Sequence, residues 1–500
     1  DEFELRRARV AGERQCAQAA CGLEAIDRRG FVEHVVFDRS LDVGDGLRLG
    51  GDLHHLVALL AAHLRRQDGG ERVEVFGGYA ERRTERGAAG AWPALAPRVA
   101  SAQSDISPFK VHVTSKDLAD LRRRLASTVW PPDATGKPWS MGTDLAYMRQ
   151  LVAYWHDKYD WRVHEAALNK FDQFTTTIDG QKIYFIHQKS RHAGAMPIVV
   201  THGYPGSIWE MLPIVQPLID PTAHGGTAAD AFHVVMPAIP GYPFSGEPIL
   251  SSSGAPNNNT PRVVELWGQL MDKLGYTRFG AYGSDWGSGV TTGLGQRFPE
   301  RLIGTAIPGP PPRTPREPKT DEERAYYASM DEYNIWETAY QRIQGSKPQS
   351  MAYGLTDSPV GAAAWAVEKL RAWSDCRGDV ERRFSKDQIL TLVSLYWHSR
   401  TMGTAVRIYH ANGLARIPGQ RGNVPPQVQP AAGGKRVPQG YFDFIGITSR
   451  ARPPKSLVDK VPENVTLWSY HERGGHFPAI EEPQLLVEDL RKFFGPLRSA

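Results

Sequence analysis

Cysteine is scarce in this 500-residue chain: Cys16, Cys21 and Cys376 are all it has. An odd, sparse set makes no disulfide framework, so nothing here requires an oxidising compartment. Cys16 and Cys21 are too far apart for a C-x-x-C site, and no His/Cys cluster surrounds them. A zinc or redox centre is excluded there, and neither metal nor cofactor is expected. An excess of charge is missing too. With 59 basic and 55 acidic residues the formal charge is +4, which lacks the basic footprint of a nucleic-acid binder. The short runs Arg82-Arg83 and Arg122-Arg123-Arg124 read as solvated helix or loop positions. No stretch approaches the ~20 apolar residues that span a bilayer, and residues 56–62, flanked by histidines, read as an amphipathic helix. The opening Asp1-Glu2-Phe3-Glu4 is acidic, without a signal peptide's basic start and apolar middle. It carries no Met, so the natural start is expected upstream or processed. A cytoplasmic protein with no membrane anchor is the expectation.

What is present falls into regions of different texture. Residues 1–104 are rich in Ala, Arg, Gly and Glu and poor in periodic apolar patterns. They are expected to be a weakly ordered extension or upstream sequence translated with the gene. From 108 to 113 the pattern predicts a strand, and residues 115–125 a helix with an N-cap at Thr114-Ser115. Leu145, Met148, Leu151 and Tyr154 or Trp155 recur at helical spacing. Residues 174–186 are two β-rich runs about Asp179-Gly180, a hairpin signal.

Beyond Pro197, strands and helices alternate. Ile198-Val199-Val200-Thr201 and residues 232–236 are continuous apolar runs, as strands buried on both faces require. Val263, Leu266 or Trp267, Leu270 and Leu274 mark a helix face ended by Gly275, and residues 279–282 are the next strand. Such alternation predicts an α/β architecture with a mostly parallel central sheet. Residues 311–435 are Pro-rich at first and then helical, with many Tyr and Trp, as a lid inserted into the sheet would be. The strand–helix texture returns at 436–500, with a strand at 465–468 and a helix at 484–494.

Gly283-Ser284-Asp285-Trp286-Gly287 lies between a predicted strand and a predicted helix. Small residues two before and two after the centre allow the sharp turn of a nucleophile elbow, here with Asp285 at its tip. Ser284 and Ser288 are out of frame, because their neighbours two away are bulky. His202-Gly203-Tyr204-Pro205-Gly206-Ser207 follows the first core strand, where it is either an ordinary Pro-Gly turn or half of an oxyanion hole. In the second case the N–H of Tyr204 faces that of Trp286. Gly474-Gly475-His476-Phe477 follows the last strand, and the order nucleophile then histidine is that of the α/β-hydrolase fold.

Taken together, residues 108–494 resemble the epoxide hydrolases of the microsomal type, in a bacterial-like soluble form. The resemblance rests on Tyr159-Asp160-Trp161-Arg162, the His202–Ser207 loop and Pro240-Gly241-Tyr242. It rests also on the Asp-Trp-Gly elbow, Lys347-Pro348, Asp357-Ser358-Pro359-Val360-Gly361, Leu395-Tyr396-Trp397 and Gly-Gly-His-Phe with Glu481-Glu482-Pro483. It implies an α/β-hydrolase core in two parts (196–310 and 436–500), the helical lid between them, and a wrapping region at 105–195. It also implies that Tyr340 and Tyr409 are the lid tyrosines that hold and protonate the epoxide oxygen. Asp285 would attack a ring carbon to form an ester, and His476 would activate the water that hydrolyses it. The implied partner is a small-molecule epoxide, giving a vicinal diol; the oligomeric state is left open, a homodimer among the forms.

The family's acid partner for the histidine falls near Ile447 to Ser449, where this chain has none. Asp443, some four residues early and about 13 Å away along an extended strand, is the nearest carboxylate and the candidate charge-relay acid; Asp459 lies beyond Pro453-Pro454. A haloalkane dehalogenase on the same fold would share Asp285, Trp286 and His476. A binding protein with a decayed triad is the non-catalytic alternative.

Overall fold

A computed structural model describes residues 105–133, 136–310, 317–414, 428–431, 435–446, 452–458 and 461–498. The extension expected over 1–104 lies outside them. The described strands are β1 (Ser107–Phe109), β2 (Gln173–Ile178), β3 (Gln181–Gln188), β4 (Met196–Thr201), β5 (Phe232–Pro237), β6 (Phe279–Gly283), β7 (Leu302–Pro308), β8 (Gln439–Gly446) and β9 (Val465–Gly475). They form one sheet in the order β1-β2-β3-β5-β4-β6-β7-β8-β9. Strands β1, β2, β3 and β5 pair antiparallel, and every pairing from β5 through β9 is parallel. The mostly parallel α/β sheet expected from the alternating texture is therefore present.

Local chemistry accounts for the order. The hairpin between β2 and β3 turns on Asp179 and Gly180, with φ of 48° and 77°, the consecutive left-handed pair that a two-residue turn needs. Strands β4, β5 and β6 are buried nearly throughout, because helices cover both faces. Ser207–Ile219 packs on β5, Trp286–Arg297 on β6 and β7, and Pro483–Phe494 on β7, β8 and β9. Their apolar residues interlock in one core, which fixes the C-terminal ends of the parallel strands as a platform.

The first strand is shorter than its pattern. Val111 and Val113 are buried, which is why residues 108–113 read as a strand. Beyond Phe109, however, the partners are side chains: Val111 N donates to Asn169 Oδ1 at 2.9 Å and Val113 N to Glu165 Oε1 at 2.7 Å. Apolar alternation reports burial and not the identity of the hydrogen-bond acceptor. Thr114 caps the following helix Ser115–Ala126 by accepting from Asp117 N.

Seven described helices lie between β7 and β8: Asp321–Trp336, Ala339–Ser346, Pro348–Asp357, Pro359–Trp373, Lys386–Ser399, Met402–Ala405 and Arg407–Ala411. The N-terminal helices Ser115–Ala126, Leu145–Asp157 and Trp161–Leu168 pack against this layer. Tyr154 Oη donates to Asp387 Oδ1 at 3.0 Å, and Thr143 Oγ1 to Ala364 O at 2.6 Å. The N-terminal segment thus braces the lid over the strand ends. Among the described residues no helix is long and apolar enough to cross a membrane.

Candidate active site

Asp285 stands at the turn between β6 and the helix Trp286–Arg297, with φ 52° and ψ −117°. A non-glycine residue in that region is strained, and strain of this kind persists where the surroundings enforce it. The enforcement is close packing. A Cβ added at Gly283 would stand 2.4 Å from Gly287 O, and one added at Gly287 would stand 2.0 Å from Thr201 O. Only glycines at these two places let the turn press against β4, and the turn in turn projects Asp285 off the sheet.

Both carboxylate oxygens of Asp285 have partners. Tyr204 N donates to Oδ1 at 2.8 Å, and His476 Nε2 lies 3.4 Å from Oδ2. Tyr204 comes from the loop after β4, and His476 follows β9 directly. The backbone N of His476 donates to Trp373 O at 2.9 Å, which ties the histidine loop to the lid. Trp286, next in sequence, supplies the N–H that follows the carboxylate.

The lid closes the site with aromatic rings. Tyr409 makes edge contacts with Trp286 (5.0 Å between centroids), Tyr204 (5.6 Å) and Tyr340 (5.5 Å). Trp373 bridges Tyr340 at 5.3 Å and His476 at 4.8 Å. The phenol oxygens of Tyr340 and Tyr409 lie 3.4 Å apart, and Gln341 Nε2 donates to Tyr340 Oη at 3.1 Å. Burial holds both phenols well above the usual tyrosine range, and the negative charge of Asp285 pushes in the same direction. Both therefore keep their protons at neutral pH and can donate them. The ammonium of Lys369 sits 4.4 Å from the centre of the Tyr340 ring, a placement that favours charge building up on that ring. The structure thus brings together Asp285, His476, Tyr340, Tyr409, Tyr204 and Trp286. A separate groove of about 740 Å³ between the N-terminal helices and the lid, lined by Trp130, Trp139 and Met148, contains none of them.

Asp443 is placed elsewhere. It pairs with Tyr470 on β9, while Gly446 pairs with Gly475. An irregularity in that pairing shortens the path to His476, yet three residues of β8, about 10 Å, still separate Asp443 from the Gly475 level. Its carboxylate is buried and lies 3.6 Å from Arg452 Nε. Burial raises it to about 6, opposed by the charges of Arg452 and His471. Residues 447–449, where the family's acid is expected, lie outside the described ones. Asp443→Asn is expected to hydrolyse a preformed ester within about twofold of the parent rate. A large loss of that step, measured in single-turnover experiments, would show that Asp443 reaches His476 after all.

Sequence reasoning passed over several groups. Trp373 and Lys369 carry no motif of their own. Glu210 did leave a signal, a lone carboxylate in the apolar run Ile208-Trp209-Glu210-Met211-Leu212 just after the His202–Ser207 loop. Glu481 was visible only within the Glu-Glu-Pro string. Its carboxylate accepts from Phe477 N at 3.0 Å and from Asp375 N at 2.9 Å. Burial raises it to about 7.

Comparison with known proteins assigns the chain to a family. Residues 106–211 match the epoxide hydrolase N terminus and residues 196–416 the alpha/beta hydrolase fold. Epoxide hydrolase 1 of Sus scrofa is 32% identical over 436 residues, covering 81% of this chain and 92% of its own. The chain belongs to the epoxide hydrolases. A bacterial relative from Stigmatella aurantiaca is 39% identical over 397 residues, 79% of this chain and 86% of its own. The solved Aspergillus niger epoxide hydrolase superposes with a TM-score of 0.64 at 26% identity, over 79% of this chain and 97% of that one. This enzyme accordingly hydrolyses epoxides, small molecules whose reacting parts are one oxygen and two carbons. Membership decides between the two chemistries left open by Asp285, Trp286 and His476, in favour of epoxide opening over halide release.

Proposed function

We propose that this epoxide hydrolase works through a covalent ester on Asp285, with Tyr340 and Tyr409 as the acids that open the ring. The observation that carries the proposal is the facing arrangement of these groups: a carboxylate on a strained turn, held by one N–H, beneath two protonated phenols 3.4 Å apart. An epoxide between them receives an Asp285 oxygen at one ring carbon as that C–O bond breaks. The ring oxygen, taking up negative charge, is held by both phenols and protonated by one. The product of this half-reaction is a hydroxyalkyl ester. Water then loses a proton to His476 and attacks the ester carbonyl. The resulting oxyanion sits against the N–H groups of Tyr204 and Trp286. Collapse breaks the bond to the alkyl oxygen, which takes the proton from His476 and leaves as a diol; the proton left on the Asp285 carboxyl goes back, through solvent, to the phenolate that protonated the ring oxygen.

The test is removal of each acid. Tyr340→Phe and Tyr409→Phe should each slow ester formation from styrene oxide by about 10²-fold, and the double variant by far more. Hydrolysis of an ester already formed should be little changed. Rapid-quench measurements of ester and diol against time separate the two steps. If the double variant forms the ester at the parent rate, the tyrosines are packing residues and the reading fails.

A further inference from the structure

The side chain of Glu210 has no part in the steps above, yet it lies directly beneath them. It is 2% exposed, on the first turn of the helix Ser207–Ile219. Its Oε1 accepts from Ser284 Oγ at 2.6 Å and from Gly203 N at 3.3 Å. Ser284 immediately precedes the nucleophile, and Gly203 immediately precedes the residue whose N–H holds Asp285 Oδ1. One carboxylate oxygen therefore ties together the two chain segments that form the oxyanion cradle. The other oxygen, Oε2, fills the place a side chain at Gly206 would take: an added Cβ there would stand 1.6 Å from it. The loop has a glycine at 206 so that this carboxylate can reach under it.

Two hydrogen bonds to one oxygen could be accepted equally well by an amide. What the amide lacks is charge, and charge has a use here. In the free enzyme Asp285 is the anion that faces His476. Once Asp285 becomes an ester that charge is gone, at the moment when His476 must take a proton from water. An imidazolium forming in a buried site needs another negative neighbour.

We propose that Glu210 is a positioning residue of the second half-reaction, which bridges Ser284 and Gly203 and provides the negative charge that favours protonation of His476 after Asp285 has been esterified. The inference rests on the ester pathway proposed above. Electrostatics around Glu210 run in the required direction. Burial raises it to about 7; the Ser284 hydrogen bond and the positive charge of His476 lower it, and the charge of Asp285 raises it. Esterification removes the Asp285 contribution, so Glu210 ionises more readily and gives up its proton to solvent. The share of the negative charge carried by Glu210 therefore rises when Asp285 becomes an ester.

The other groups around Glu210 do not replace it. The phenols of Tyr282 and Tyr396 feel its charge and stay protonated, because burial keeps both well above the usual range. On the helices packed against its own, Asp489 is engaged by His471 Nε2 at 2.6 Å. Glu481 also feels the positive charge of His476, but it is held by two backbone N–H groups and its charge is answered by Arg383, 3.8 Å away at Nε.

Glu210→Gln keeps an acceptor for both donors and removes the charge. With styrene oxide under single-turnover conditions, ester formation should stay within about twofold, while ester hydrolysis falls by about tenfold, the effect of one pKa unit on His476. The limb of the hydrolysis pH profile that falls on the acid side should flatten. Ser284→Ala, which keeps the charge and removes its strongest hydrogen bond, should move that acid limb to higher pH. Equal hydrolysis rates and unchanged pH profiles in Glu210→Gln would overturn the proposal and leave Glu210 a structural clamp. If the parent enzyme itself forms no ester, the pathway beneath the inference fails instead, and the two failures are told apart by that control.

Discussion

Asp285→Ala is expected to abolish both ester formation and diol release, with turnover reduced by about 10⁴-fold or more. The size follows from the geometry. In this site no other described carboxylate stands on the strained turn, and the hydroxyl of the preceding residue, Ser284, is engaged in donating to Glu210 Oε1 at 2.6 Å. Glu210 itself lies under the His202–Ser207 loop and cannot reach a substrate held by the two phenols. The variant should still fold, since alanine keeps the same Cβ at φ 52° and adds no bulk. Binding of an unreactive amide or alcohol in the lid should survive, which would distinguish loss of the nucleophile from loss of the site. Intact-mass measurement after incubation with styrene oxide reads the outcome: no increment for Asp285→Ala, and one hydroxyalkyl increment on the parent when the reaction is quenched early.

The second large effect concerns His476. Its Nε2 lies 3.4 Å from Asp285 Oδ2, so a water hydrogen-bonded to His476 would be held on the same side as the acyl carbon once the carboxylate has become an ester. His476→Gln should form the ester at a rate close to the parent's and then stop, since the proposed first half-reaction uses Asp285 and the tyrosines alone. One equivalent of epoxide would be consumed per enzyme, and the ester would persist for hours. Steady-state turnover should drop by about 10³-fold or more. The contrast between the variants is the informative part: one takes up no substrate covalently, the other takes up one equivalent and keeps it. If His476→Gln turned over at the parent rate, the base would have to be sought elsewhere.

Much of this was legible in the sequence because it depends on local rules. The elbow is written in the glycines two before and two after Asp285, since backbone contacts with Gly287 O and Thr201 O forbid anything larger there. The buried parallel strands show as continuous apolar runs, and the hairpin shows in Asp179-Gly180. Less legible was anything decided across long distances. The strand expected through Val113 ends at Phe109 because Asn169 and Glu165, more than fifty residues on, supply the acceptors. The same holds for Trp373, whose place between Tyr340 and His476 comes from the docking of one lid helix. Asp443 shows a different limit: closeness along the chain to the expected acid position says nothing of the Arg452 that its carboxylate faces. Glu210 could have been found, because a charged residue in an apolar stretch beside a catalytic loop requires buried partners.

The central claim is that an Asp285 oxygen, and not water, first attacks the epoxide. A single turnover in water enriched in oxygen-18, with enzyme in excess over styrene oxide, tests it most directly. Attack by Asp285 transfers one of its own oxygens to the diol and takes the replacement from solvent. The account predicts the heavy isotope in the peptide that contains Asp285 and an unlabelled diol from that first turnover. Label in the diol, with none in Asp285, would mean that water opens the ring directly and would contradict the account.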